Sequence, residues 1–145
     1  MHTRGVFMQH MKSTFVALAV GIVGFTIPAF AATTLHVTLT DQMELKLETN
    51  TVKAGRVVLD VINEAESQQH EVIIARLNDR NQSVSVSPGQ DRVDERKIKT
   101  LGEVSDLDPG KEGKLSINLK PGEYLLFCNM KGHYQAGMLA HLTVE

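Results

Sequence analysis

The chain has one cysteine, Cys128, no tryptophan and only 5% aromatic residues, and neither sign of charge dominates: 15 Lys and Arg face 17 Asp and Glu, a net −2 over 145 residues. A lone cysteine excludes an internal disulfide, so the fold is held without one. No basic block extends beyond Arg96-Lys97, which argues against binding driven by phosphate counter-ion release and makes nucleic acid an unexpected partner. Internal repeats, heptads and linker-like composition are also missing. With 42% hydrophobic and 22% charged residues, the chain reads as one ordinary globular domain.

Long hydrophobic runs are equally scarce. Arg4 and Lys12 precede an uncharged stretch, Ser13 to Ala32, whose most apolar part runs from Phe15 to Ile27 and stops at Pro28. That part falls short of the roughly 20 residues a spanning helix needs. Ala29-Phe30-Ala31 supplies the small residues of a signal-peptidase site. Residues 1–31 are therefore expected to be a cleaved secretory signal peptide, with Met11 an alternative start, and residues 32–145 the mature domain, with no stable membrane span after cleavage. No cysteine lies near the cut to carry a lipid. Loss of Arg4 and Lys12 leaves 13 basic against 17 acidic residues, a net of −4. In the oxidising periplasmic or extracellular space a free thiol needs something to hold it, so Cys128 is the residue to explain.

The mature sequence alternates with period two. Leu35, Val37 and Leu39 alternate with polar residues, as do Met43, Leu45 and Leu47, which predicts half-buried strands. Val57 to Ile62, His70 to Ile74, Lys114 to Leu119, Tyr124 to Cys128 and Met138 to Val144 read as further strands. Asp108-Pro109-Gly110 and Pro121-Gly122 mark turns. From Asn78 to Thr100 the pattern fails, and this stretch is expected to be an excursion with one helical turn at Asp91 to Lys97. About seven short strands without a long amphipathic helix predict an all-β, two-sheet sandwich.

Between the last two strands lies Cys128-Asn129-Met130-Lys131-Gly132-His133-Tyr134-Gln135-Ala136-Gly137-Met138. It sets a thiolate, an imidazole and a thioether five residues apart in turn, and Gly132 and Gly137 permit the tight backbone that would wrap all three around one point. His70 opens an apolar strand, on the same face as Val72 and Ile74, and is the candidate fourth donor. Two imidazoles, one thiolate and a weaker axial methionine are the set that holds copper in electron-transfer sites. Taken singly, each has a plain reading as a buried thiol, core filler or strand histidine. His36 and His141 fall on outward faces of the first and last strands, and would form a second site only if those strands were adjacent.

Cys128-x4-His133-x4-Met138 after Gly122-x-Tyr124-x-x-x-Cys128, with the upstream His70 strand, resembles the cupredoxins, the small blue copper proteins. The loop spacing is similar to the rusticyanin, auracyanin and sulfocyanin branch. Thr51 to Gly55 leading into Val57–Asn63, and Asp106 to Gly110, extend the resemblance over most of the mature chain. It implies a cupredoxin-like Greek-key β-sandwich and one copper ion per chain, with His70, Cys128 and His133 as equatorial ligands and Met138 as the axial one. It further implies a partly exposed His133, ringed by Met130, Lys131, Gly132, Tyr134 and Ala136, as the route for electrons. Many members carry Asn directly after the first histidine, where it pins the cysteine loop; here Glu71 stands there, and Asn129 is a candidate for part of that role.

The expected function is that of a monomeric, exported one-electron carrier, not an enzyme. Its expected partners are redox proteins such as c-type cytochromes or a terminal reductase or oxidase. The alternative is copper sequestration or delivery, for which Met43, Met130, Met138 and four histidines are a sparse relay. A metal-free binding sandwich that uses the 78–100 excursion leaves Cys128 without a reason.

Overall fold

The computed structural model describes residues 31–145. The expected signal segment therefore lies, but for its last residue, outside the described residues. In chain order the strands are β1 (Thr33–Leu39), β2 (Leu45–Leu47), β3 (Thr51–Val52), β4 (Gly55–Asn63), β5 (His70–Arg76), β6 (Val86–Ser87), β7 (Arg92–Val93), β8 (Lys99–Leu107), β9 (Glu112–Leu119), β10 (Gly122–Phe127) and β11 (Leu139–Val144), with one 3-10 turn at Glu95–Lys97. They form a four-stranded sheet, β2-β1-β4-β9, a five-stranded sheet, β3-β11-β10-β5-β8, and the small β6-β7 ribbon. No helix among the described residues is long and apolar enough to cross a membrane.

The alternating strands build the four-stranded sheet. Leu35, Val37 and Leu39 of β1 lie beside Leu59, Val61 and Asn63 of its parallel neighbour β4, and all six are buried. Leu115 and Ile117 of β9 pack on the same cluster. The intervening His36, Arg56 and Ser116 face outward, as period two requires.

In the five-stranded sheet the central strands β5 and β10 are buried on both faces. Val72 and Ile74 of β5 and Tyr124 and Leu126 of β10 point into the core between the sheets, with Cys128 and Met138. Ile73, Ala75, Leu125 and Phe127 point the other way, into a second core closed by Val84, Val93, Ile98, Tyr134 and Leu139. Continuous apolar runs such as Val72 to Ala75 and Tyr124 to Cys128 suit strands covered on both sides, whatever their direction.

The stretch expected to be an irregular excursion is thus a cover for this second core. Its helical turn is confined to Glu95–Lys97, where the Asp94 side chain caps the Arg96 amide. Strand structure resumes at Lys99, earlier than periodicity indicates. β8 is an edge strand whose register against β5 shifts twice, which blurs the alternation. The expected second strand also shortens to Leu45–Leu47, because Met43 has a φ of +57° in the turn closed by Thr40 and Glu44.

Candidate metal centre

Three adjacent strands meet at one end of the sandwich. His70 is the first residue of β5, Cys128 follows β10 directly, and Met138 immediately precedes β11, in the sheet order β11-β10-β5. Residues 58 positions apart in sequence are thereby brought together.

Nδ1 of His70 lies 3.3 Å from Nδ1 of His133, and Sγ of Cys128 also lies 3.3 Å from Nδ1 of His133. The donor atoms of all three residues fall within 4.8 Å of one another, and the two rings meet edge to face. His70, Cys128 and Met138 are fully buried, and His133 is partly exposed. Met138 joins the group through its backbone: its carbonyl accepts from the Cys128 amide, and its amide donates to the His133 carbonyl, each at 3.1 Å. Its side chain lies in the same inter-sheet core as Cys128.

The loop is held by backbone hydrogen bonds and by two glycines. Within it the His133, Ala136 and Gly137 amides donate to the Met130, Gly132 and Tyr134 carbonyls, each at 3.0 Å. Gly132 and Gly137 take φ values of +82° and +97°, conformations that strain other residues.

Burial governs the ionisation of the donors. It pushes the Cys128 thiol above its ordinary value. It holds His70 below the usual imidazole range, with His133 adding to the effect. His133 is lowered in the same way, with Arg92 as the second cause. Both rings are therefore neutral near pH 7, with lone pairs available, and a cation at this point would displace the thiol proton. Nε2 of the buried His70 ring finds no hydrogen-bond partner. A soft, dry, two-nitrogen, one-sulfur cluster suits copper better than magnesium or calcium, which prefer oxygen ligands.

In metal-free protein the buried thiol keeps its proton to higher pH than the unfolded chain does. The native state then binds more protons above 9.0, so stability is expected to fall as pH rises past that value. Tyr134, also raised by burial, adds a smaller decline that sets in as pH approaches 10.0. Urea midpoints taken between those values should decline in the native sequence and decline distinctly less in Cys128→Ser.

Around the donors sit residues that sequence reasoning singled out only in part. Glu71 Oε1 accepts from the Asn129 amide at 3.1 Å, so the residue after His70 does fasten the cysteine loop. Burial, with Glu103 second, raises its carboxyl above the usual range. The Asn129 side chain faces the cover segment: Oδ1 accepts from the Val93 amide at 2.6 Å, and Nδ2 donates to the Val93 carbonyl and Glu95 Oε1. Arg92 Nη1 donates to the Asn129 carbonyl at 2.9 Å, and the Gly132 amide donates to the Asp91 carbonyl at 2.8 Å. The 78–100 segment is thereby stitched to the cysteine loop. Asn129→Ala breaks three of these bonds and leaves the Val93 groups unpaired, so it is expected to lower stability by about 2–4 kcal/mol in urea denaturation. A loss below about 0.5 kcal/mol would show that the stitching is energetically idle.

Asn63 and Asp41 were not singled out by the sequence pattern, although a buried amide ending an apolar strand is the signal that could have found the first. Asn63 is fully buried. Its Nδ2 donates to the Gln68 and Leu107 carbonyls at 2.8 and 2.7 Å, and its Oδ1 accepts from the Ala65 amide at 3.0 Å. Asp41 accepts from the Glu66 amide and from the Ser67 amide and hydroxyl, and the Glu66 bond above all holds its carboxyl below the usual range. Together they fix the loop that delivers His70.

The expected ring around His133 is only partly free. Lys131 and Ala136 are exposed, whereas Tyr134 packs edge to face on Phe127 at 5.8 Å and belongs to the second core. The outward histidines do not meet: His36 stands in the four-stranded sheet, 3.6 Å from Asp60, and His141 in the five-stranded one.

No family model and no curated protein matches the chain. Solved structures do. Auracyanin A from Chloroflexus aurantiacus, described as a "blue" copper protein, superposes with a TM-score of 0.59 at 20% identity over 79% of this chain and all of its own. Reduced auracyanin from Roseiflexus castenholzii gives 0.58 at 18% identity, over 78% of this chain and 97% of its own. An azurin from Methylomonas sp. strain J gives 0.52 at 16% identity, over 81% and 99%. At these identities the likeness establishes the fold, the cupredoxin two-sheet sandwich.

Proposed function

We propose that this chain is an exported type 1 copper protein that carries one electron at a time between redox partners. The observation that carries the reading is the convergence of its only thiol with two neutral imidazoles at a buried point. In the proposed site His70, Cys128 and His133 would hold one copper ion, and the thioether of Met138 would be a fourth, weaker ligand. Bound copper supplies a one-electron couple.

The protein's own contribution is to hold the donors still. Cys128 gives up its proton on binding, and the desolvated pocket that disfavours its thiolate in the metal-free protein strengthens its attraction to a cation. The hydrogen-bonded loop and its stitching to the cover segment resist rearrangement when the charge at the centre changes. His133, the partly exposed donor, links the buried centre to the surface. A small contact there, beside Lys131 and Ala136, fits a transient encounter with a c-type cytochrome or a terminal reductase or oxidase.

Export is supported by the charged start, short apolar run and small-residue site of residues 1–31. The sparse methionines favour a carrier over copper delivery. A spectroelectrochemical titration of the copper-loaded protein separates the two. Reversible one-electron cycling with unchanged copper content is expected of a carrier; loss of the metal on either half-cycle would support handling instead.

A further inference from the structure

Arg76, the last residue of β5, pairs with Lys99 of β8 on one side and Tyr124 of β10 on the other. Like charges directly opposite one another weaken a strand pair. Among the described residues, neither Arg76 nor Lys99 forms an ion pair, and nor does Lys120, the residue after β9. All three line one cavity of about 230 Å³ with Leu101, Asn118 and Tyr124, and no acidic side chain takes part. Three unpaired cations around one hollow stand out in a chain with a net negative charge.

One side of the cavity is fixed by the sandwich. Tyr124 is buried, and its hydroxyl donates to the Lys120 carbonyl at 2.7 Å and accepts from the Lys120 amide at 3.2 Å. Arg76 Nη2 donates to the Pro121 carbonyl at 3.0 Å, and Arg76 Nη1 lies 3.4 Å from the Tyr124 hydroxyl. The guanidinium is thus anchored on one edge. Gly122, at φ +148°, lies so close beneath it that a Cβ would come within 3.0 Å of Nη2. The hollow lies at the far end of β5 from His70, about 20 Å away at ~3.3 Å per residue.

We propose that this cavity is an oxyanion site for a phosphate- or sulfate-type group. Arg76 provides the planar, fork-shaped donor that suits such a group. Lys99 closes from the five-stranded sheet, and Lys120, with Asn118 on the wall, from the four-stranded one. A bound oxyanion offsets the like-charge repulsion across β5 and β8, and it stabilises the fold by linkage. The same chemistry is offered by free phosphate and by the phosphate of an anionic lipid headgroup.

The test is an amide NMR titration of the purified protein with inorganic phosphate at fixed ionic strength, on the native sequence and on the Lys99→Gln/Lys120→Gln double variant. Both lysines are exposed, so the variant should fold. Saturable shifts confined to residues around Arg76, Lys99, Asn118, Lys120 and Tyr124, weakened at least tenfold in the variant, are expected. Sedimentation with phosphatidylglycerol against phosphatidylcholine vesicles then assigns the source. Binding to the former, lost in the variant, identifies a lipid headgroup, and phosphate saturation without vesicle binding identifies a free oxyanion. Shifts that grow linearly without saturation, or an unaltered titration in the variant, would overturn the proposal.

Discussion

Cys128→Ser is expected to lower copper affinity by more than the roughly 100-fold that loss of a supporting hydrogen bond around a metal typically costs. The substitution replaces a soft anionic donor by a neutral hydroxyl at a fully buried position, leaving two imidazoles that cannot neutralise the charge of the ion. Competition with a chelator of known affinity measures the change. Urea denaturation of the metal-free variant checks that the fold survives, since the buried hydroxyl should cost no more than about 1–3 kcal/mol. Copper held equally well by the serine variant would remove Cys128 from the site, and with it the reason the thiol is kept.

Asn63→Ala should give the largest stability loss of any polar substitution considered, about 3–5 kcal/mol. Three bonds go at once, and the carbonyls of Gln68 and Leu107 and the amide of Ala65 lose their partner. Each such loss costs on the order of 1–2 kcal/mol when the group left behind is buried. Set against a typical total of about 5–15 kcal/mol, this is a large fraction. Gln68 lies two residues before His70, so copper affinity should fall by roughly 10–100-fold as well. Asn63→Asp keeps the acceptor but cannot donate to the two carbonyls, and it should be nearly as damaging. A loss below about 1 kcal/mol in both variants would mean that the loop before His70 is held by other contacts.

Much of the architecture could be read from spacing alone. β1 and β9 alternate because one face of each meets the core and the other meets water. The run from Cys128 to Met138 announces its loop because two glycines sit where left-handed backbone is needed. Bringing His70 to that loop could not be derived from periodicity, since it depends on β5 pairing with β10 across about fifty residues. The second core was hidden for a different reason. Its lid is made of Val84, Val93 and Ile98, isolated apolar residues in a polar stretch, whose partners are defined only once the outer face of β5 and β10 exists. The supporting polar bonds were the least accessible, because Asn129 and Asn63 act through backbone groups of distant segments that carry no residue signature.

The most direct test is the visible absorption spectrum of the protein with one equivalent of Cu(II). A buried thiolate sharing a copper ion with two imidazoles predicts an intense sulfur-to-copper charge-transfer band, saturating at one ion per chain. A folded, copper-exposed protein showing only the weak absorption of nitrogen- and oxygen-bound copper would contradict the account.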